Sequence, residues 1–286
     1  MNTRHSFLER LALFRKILAS HYNQPATGLW RVFETEVVLD ELSGEGRALD
    51  LGCGDGELAE LLFASAPGLR WTGLDIDAAD VELARGRRFY EQVHAAPASR
   101  IPEPDGAFDL VFSNSSLEHM DGLPEVLAEV ARVLRPGGRF AFTVPARSFD
   151  ELLLWRRALA KARLRSLSDR YRDSVDARLQ HKNLWSAAEW GALLERQGLR
   201  LEREVPYLSS GAIAVWETLS NATGGLARLL SGGRSPREVQ RAAGLLRGHS
   251  PRLAALAAAL FAPALALAAA GDGGKTGALY LEARRA

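Results

Sequence analysis

Apolar residues recur at helical spacing at Phe7, Leu8, Leu11, Phe14 and Leu18, and again at Trp30, Phe33, Val37, Val38 and Leu42. Both stretches predict helices with one apolar face that packs on whatever follows. The period then changes. Ala48 to Leu51 is a short apolar run that reads as a buried strand, and Leu58, Leu61 and Leu62 give the segment behind it the inner face of a helix. Trp71 to Ile76 predicts a second strand, Ala79 to Arg87 a second helix, and Phe108 to Phe112 another strand. Pro124 to Leu134 reads as a helix with Pro124 in its first turn, ended by Pro136-Gly137-Gly138, and Phe140 to Val144 is the next strand. Strands alternating with helices through short loops, between about residues 46 and 146, predict a parallel sheet covered on both faces.

The C-terminal half is more helical. Ser148 to Lys182 turns helical and basic. Ser186-Ala187-Ala188-Glu189 forms a capping box ahead of an apolar face at Trp190, Leu193 and Leu194, and Gly198 stops that helix. Leu199 to Tyr207 alternates like a strand, and Ala278 to Ala283 is the last strand-like stretch. Between them lies a helical insertion, roughly 211 to 275. It contains Leu253 to Ala270, 18 residues without a charge, the lower limit for spanning a bilayer. Three features weigh against a span: most of the run is alanine, Pro263 divides it, and a sheet strand must follow at Ala278. The remaining readings are a packed cap or oligomer contact, and a peripheral membrane contact through 250 to 272.

Composition narrows the picture. With 47% hydrophobic and 25% charged residues among 286, the chain has the make-up of a folded globular protein long enough to bury a core. A net charge of +1 provides no general basic field, so no nucleic-acid partner is expected. Cys53 is the single cysteine, which excludes an internal disulfide and a cysteine-rich metal site; no metal is expected, and a reducing, cytoplasmic setting is. Charges at Arg4, Glu9, Arg10, Arg15 and Lys16 with no uninterrupted apolar core behind them predict no cleavable secretory signal. Arg156, Arg157, Lys161, Arg163, Arg165, Arg170, Arg172, Arg178 and Lys182 crowd one region, diluted by Asp169, Asp173 and Asp176. That cluster reads either as a landing surface for phosphates or anionic lipid headgroups, or as a solvated helix face in an arginine-rich proteome.

The chemistry lies in RALDLGCGDGELAELL, Arg47 to Leu62, where a strand meets three alternating glycines and then a helix. Such a unit points backbone amides and a helix N-terminus at a ligand. The phosphate loop of ATPases needs Lys-Ser/Thr after its last glycine, and Gly56 is followed by Glu57-Leu58. The dinucleotide fingerprint needs glycine at its sixth position, which is Glu57 counted from Gly52, and an acid there opposes a pyrophosphate. A second acid, Asp75 in Gly73-Leu74-Asp75, ends the next strand about 23 residues beyond Gly52, near the spacing at which such folds hold ribose hydroxyls.

Asp50-x-Gly52-x-Gly54-x-Gly56 resembles the first motif of the class I S-adenosylmethionine-dependent methyltransferases. The resemblance continues in order through Asp75, through PDGAFDLVFSNSSLEHM and through PEVLAEVARVLRPGGRFAFTVP, which ends at Pro145, and covers about 100 residues. It is greatest to the type-11 small-molecule branch. It implies an α/β Rossmann-like fold with a seven-stranded, mostly parallel sheet, helices on both faces, N-terminal helices and a helical insertion before the last strand. It divides the chain into a helical lid at 1–45, an S-adenosylmethionine-binding core at 46–147, and a part at 148–286 that completes the sheet. The cofactor implied is S-adenosyl-L-methionine. The resemblance places Asp50 near its ammonium, Gly52, Cys53, Gly54 and Gly56 in the cradle, Asp75 on the ribose and Ile76 on the adenine. Asn114 and Ser115 match positions near its methionine end. One segment departs from the pattern: Gly-Asp-Ala is common in the family, and here the stretch is Ala96-Pro97-Ala98, which leaves the backbone of Ala98 to meet the adenine edge.

The acceptor implied is a small molecule with an oxygen or carbon nucleophile, lipid-linked acceptors included, since the Asn/Asp-Pro-Pro-Tyr signature of amino-group enzymes is missing. Glu118 and His119 form a candidate pair. Ser115-Ser116-Leu117-Glu118 also reads as a capping box, which gives Glu118 a structural role, whereas His119 is suited to a general base. His181 either anchors a loop or enters the acceptor pocket, and Tyr22 is placed to close over the cofactor. The competing reading is a non-catalytic cofactor-binding or membrane-associated partner protein on a decayed methyltransferase fold.

Overall fold

A computed structural model describes residues 5–20, 25–222, 251–270 and 274–286. The chain runs α1 (Phe7–Ser20), α2 (Pro25–Glu41), β1 (Glu45–Leu51), α3 (Glu57–Leu62), β2 (Gly68–Asp75), α4 (Ala78–Arg85), β3 (Tyr90–Ala95), β4 (Phe108–Asn114), α5 (Leu123–Val133) and β5 (Leu134–Pro145). It continues through α6 (Ser148–Leu152), α7 (Leu154–Lys161), α8 (Arg165–Leu179), α9 (Ala187–Glu195), β6 (Leu199–Ser209), α10 (Ser210–Ser220), α11 (Pro251–Ala269) and β7 (Thr276–Arg285). Two compact units emerge: one takes the residues up to Glu36 with Ser148–Leu179 and Leu208–Gly277, and the other takes Val37–Arg147, Gln180–Tyr207 and Ala278–Ala286.

The second unit holds the sheet. Its seven strands lie in the order β3-β2-β1-β4-β5-β7-β6. The pairs β1–β2, β1–β4, β2–β3 and β4–β5 are parallel, and β5–β7 is antiparallel. The chain order reverses direction at β1, so the loops after β1 and β4 leave the same edge side by side, where doubly wound sheets bind ligands. The core beneath is made of Leu49, Leu51, Val111, Phe140 and Phe142 from the strands, with Val126, Leu127 and Val130 of α5 and Trp190 of α9 packed on them. The capping box at Ser186 and Glu189 forms as the sequence predicts and sets the start of α9.

β3 was not legible as a strand. It lies at the edge of the sheet, with only Tyr90 and Val93 buried, so alternation is too weak to read. The loop after it is tied down from α5. Arg132 donates to the carbonyls of Ile101 and Glu103 at 2.9 and 2.8 Å, and Ile101 N donates to Glu129 at 2.8 Å.

The first unit is helical. Trp30, Phe149 and Trp216 meet edge to face with ring centroids 5.4 to 5.8 Å apart. α1 and α2 approach closely at Gly28, where a Cβ would lie 2.9 Å from Leu18 and 3.0 Å from Phe14. α11 packs on α1 and α10. The sequence expectation that Pro263 divides the apolar run is corrected: α11 is one helix through Pro263. The ring removes one backbone donor, and packing at Ala258, Leu265 and Ala268 holds the helix on both sides of it.

Because Trp190 is fully buried against Phe142 and Trp185, Trp190→Ala is expected to destabilise the second unit by about 3–5 kcal/mol, read as a fall in the denaturant midpoint.

Candidate active site

The site is built from the ends of β1, β2 and β4. After β1 the chain enters a loop in which Gly52, Gly54 and Gly56 all have positive φ, at +80°, +54° and +70°. The conformation suits glycine, and space decides further. A Cβ on Gly52 would lie 2.4 Å from Ser116 Oγ, and one on Gly56 would lie 2.8 Å from the Tyr90 ring. At Gly54 a Cβ would meet nothing within 4 Å. Gly52 and Gly56 are therefore held by neighbours, while Gly54 opens onto space.

Backbone bonds lock this loop to β2. Gly52 N and Cys53 N both donate to Leu74 O, at 2.8 and 3.1 Å. Asp75, the last residue of β2, accepts from Gly54 N at 2.8 Å through Oδ2 and from Asp77 N at 2.9 Å through Oδ1. Asp77, with its side chain accepting from Ala79 N and Asp80 N, caps α4, so Asp75 has no capping duty. Each Asp75 oxygen keeps further acceptor capacity. Next to it Ile76 is 76% exposed, a large apolar side chain laid open beside a fixed carboxylate.

Asp50, at the end of β1, has an enclosed environment. It is buried, and Tyr90 OH donates to its Oδ2. Burial pushes its pKa up to about 7, with Tyr90 opposing the shift and Asp75 adding to it. Glu57, at the start of α3, is also raised to about 7, by burial and then by Asp55. Burial raises the Cys53 thiol as well, so it is an inert wall of the loop.

From β4 come Asn114 and Ser115. Thr143 Oγ1 donates to Asn114 Oδ1 at 3.0 Å, and Ser115 N donates to Thr143 O at 3.1 Å, while Ser115 has a φ of +46°. Ser116 Oγ reaches back to Gly52 O at 3.2 Å. A short 3-10 turn, Leu117–His119, follows without a side-chain cap from Ser116. The sequence pattern puts the cap at Ser115, but the turn starts at Leu117 behind Ser116, which gives no side-chain cap, and Ser115 has a left-handed backbone. Glu118 is buried, and its carbonyl accepts from Lys182 N and Asn183 N.

His119 is half exposed. Its Nδ1 lies 3.1 Å from the Gln180 carbonyl, which makes Nδ1 the protonated nitrogen and Nε2 the basic one in the neutral ring. Nε2 stands 3.8 Å from Glu118 Oε1. His181 stacks on His119 with centroids 5.9 Å apart, and burial pushes its pKa down to about 3, so it is neutral at ordinary pH. Asn183 Nδ2 fastens this segment to the turn through Leu117 O and Met120 O, at 3.0 and 2.8 Å. Ala98 lies in the loop after β3, partly buried against the core, with Arg100 N donating to Pro97 O. Tyr22 lies outside the described residues.

Loop, turn and strand ends thus bring Asp50, Gly52, Cys53, Gly54, Gly56, Asp75, Ile76, Asn114 and Ser115 to one edge of the sheet. Sequence reasoning missed Tyr90, Ser116, Thr143 and Asn183, which hold these residues. Thr143 had a faint signal as the one polar side chain in the apolar run Phe140 to Val144.

Strand order and loop define a Rossmann-like class I methyltransferase fold. Residues 49–142 match the family described as methyltransferase domain. The match covers about a third of the chain. It is 42% identical over 101 residues to 27-O-demethylrifamycin SV methyltransferase of Amycolatopsis mediterranei, covering 33% of this chain and 37% of that protein. It is 36% identical over 140 residues to a fatty-acid O-methyltransferase of Mycolicibacterium smegmatis, covering 48% and 51%. The chain spans about 37% and 51% of the length of these relatives. In structure it resembles geranyl diphosphate C-methyltransferase from Streptomyces coelicolor A3(2), at a TM-score of 0.55 and 16% identity, covering 88% of this chain and 75% of that one.

Two outcomes follow from the loop. Gly54→Ala carries a backbone cost of about 1–2 kcal/mol, whereas Gly52→Ala adds a collision with Ser116; denaturant melts are expected to rank Gly52→Ala as clearly worse. Asp50 has a folded pKa near 7 against about 4 unfolded, so between those values the folded state holds more protons and this group's contribution to stability declines as pH rises. Asp50→Asn is expected to flatten the stability–pH curve between about pH 4 and 7 relative to wild type.

Proposed function

We propose that the chain is an S-adenosyl-L-methionine-dependent methyltransferase that moves a methyl group to the oxygen or carbon nucleophile of a small-molecule acceptor, lipid-linked acceptors included. The observation that carries the reading is Asp75: a carboxylate fixed by two backbone amides, beside an exposed Ile76 and opposite the open face of Gly54. Both Asp75 oxygens have capacity for ribose hydroxyls, and Ile76 offers an apolar platform for adenine. The side-chain-free Gly54 lets a ligand approach the backbone. Buried acidity at Asp50 suits a ligand end with an ammonium and a sulfonium and opposes a phosphate. The family match and the relatives' methyltransferase names support the same reading.

Bound S-adenosylmethionine supplies an electrophilic methyl group, so the protein's work is alignment, exclusion of water and removal of a proton. The turn after β4 abuts the glycine loop, with Ser116 bonded to Gly52 and the Met120 methyl 3.5 Å from where a Gly52 Cβ would be. His119 projects from that turn. Its Nε2 takes the acceptor's proton while Gln180 holds Nδ1–H and Glu118 steadies the charged ring.

Calorimetry with S-adenosylmethionine tests the cofactor. Hydrogen bonds to a charged group are worth about 1.5–3 kcal/mol, so Asp75→Ala is expected to raise Kd at least tenfold. Ile76→Ser is expected to weaken binding with an unchanged melting temperature, because its side chain is already exposed. No binding by well-folded wild type would move the chain to the non-catalytic reading. With an acceptor in hand, His119→Ala is expected to lower kcat by about 10²–10⁴ while leaving cofactor affinity intact. An unchanged kcat removes the base from the mechanism.

A further inference from the structure

The helical unit has a surface that methyl transfer does not use. From Leu154 to Arg170 nearly every residue is exposed, and among them Leu154, Trp155, Leu164 and Leu167 are 42 to 51% exposed. The same stretch contains Arg157, Lys161, Arg163, Arg165 and Arg170, none of which has a carboxylate partner among the described residues. A groove of about 350 Å³ runs between α7 and α8, lined by Arg156, Arg157, Arg165 and Ser168 with Glu151 and Asp169. Its two acids are engaged by other cations, Glu151 by Lys275 at 3.1 Å and Asp169 by Arg172 at 3.7 Å.

This hairpin is held in shape from within. Glu217 of α10 accepts from Leu154 N, from Trp155 N at 3.2 Å and from Tyr171 OH at 2.6 Å, which fixes the start of α7. Leu164 N donates to Leu159 O at 3.0 Å around a left-handed Arg163, φ +62°, a position that glycine usually fills. Trp155 and the leucines are thus presented outward by a rigid turn.

We propose that the α7–α8 hairpin docks on an anionic lipid bilayer, with Trp155, Leu154, Leu164 and Leu167 at headgroup depth and the unpaired arginines on lipid phosphates. Charge complementarity selects the occupant. A bilayer offers anions and an apolar layer a few ångströms apart, which matches cations interleaved with leucine and tryptophan. A nucleic acid satisfies the arginines and gives the leucines nothing. A second copy of this chain related by a two-fold axis would set the same unpaired cations against each other. A second apolar face lies in the same unit: Leu253, Leu256, Leu260 and Leu267 of α11 are 66 to 70% exposed and fall within about 60° of arc at 100° per residue.

The test is co-sedimentation with vesicles of phosphatidylcholine alone and of phosphatidylcholine mixed with phosphatidylglycerol. Expected are binding to the mixed vesicles, little to the neutral ones, and loss of binding as salt rises. Arg163→Gly is the informative variant, because it relieves a left-handed arginine while deleting a cation, so it does not lower binding through misfolding. Each surface cation is worth about 1 kcal/mol near such a membrane, so Arg163→Gly is expected to lower the partition coefficient about fivefold and Arg157→Glu with Arg165→Glu more than tenfold. Trp155→Ser is expected to lower it as well. Cofactor affinity, measured on the same proteins, is expected to stay unchanged, so this proposal and the methyltransferase reading fail separately. Absence of binding to mixed vesicles overturns the docking. Binding that only Leu256→Ser and Leu260→Ser reduce overturns the hairpin's part, as does a dimer in sedimentation velocity that Trp155→Ser dissociates.

Discussion

The site depends on one tie: the Asp75 carboxylate accepts from Gly54 N on one side and Asp77 N on the other. It joins the loop after β1 to the end of β2 at the point where the sheet changes direction. Gly52 N and Cys53 N reinforce it by sharing Leu74 O. With the loop drawn down in this way, positive φ is required at successive alternate positions, and a side chain fits at none that touches a neighbour. The three glycines therefore have different causes. Ser116 excludes a side chain at Gly52 and Tyr90 excludes one at Gly56, whereas at Gly54 the space belongs to whatever binds.

A buried acid next to that tie would ordinarily be a liability. Asp50 has one hydroxyl donor, Tyr90, and a second acid, Asp75, in its field, so burial wins and raises its pKa to about 7. A cation arriving at the loop reverses the balance, because it stabilises the ionised carboxylate at the moment it binds. The same environment disfavours an anion, which would add to the repulsion from Asp75. The ammonium-bearing ligand proposed above fits that balance, and a phosphate does not.

The parallel core was legible because its strands are continuous apolar runs and its helices keep one face; β1, β2, β4, α5 and β5 are all visible that way. Edge strand β3 was not, since one neighbour and two buried side chains leave no period to detect. In the site, Asp75 and Ile76 could be placed by spacing from the loop, but the partners that fix the site could not. Tyr90 stands 40 residues from Asp50 and Ser116 stands 64 from Gly52, and nothing local marks either pair. The turn after β4 shows the opposite failure. Its Ser-Ser-Leu-Glu has the local form of a capping box headed by Ser115, yet the helical turn starts a residue later, behind Ser116, whose hydroxyl bonds the distant Gly52 O. Tertiary contact outweighed local preference where the chain had function to position.

Composition also hid how α11 is oriented. An alanine-leucine helix is expected to turn its leucines inward, since a buried leucine contributes about 1.5–3 kcal/mol more than an exposed one. Here Ala254, Ala258 and Ala268 lie inside with Leu265, against α1 and α10, and four leucines lie outside. Small residues at the contact let helices approach closely, but they forgo most of the available burial. At 19 residues and a mean hydropathy of 1.9, α11 is long and apolar enough to cross a membrane, and 22% of its apolar window is buried. A single crossing is nonetheless at odds with β7, which follows within a few residues and completes the sheet beside β5. The burial it forgoes leaves Leu253, Leu256, Leu260 and Leu267 exposed along one side of the helix.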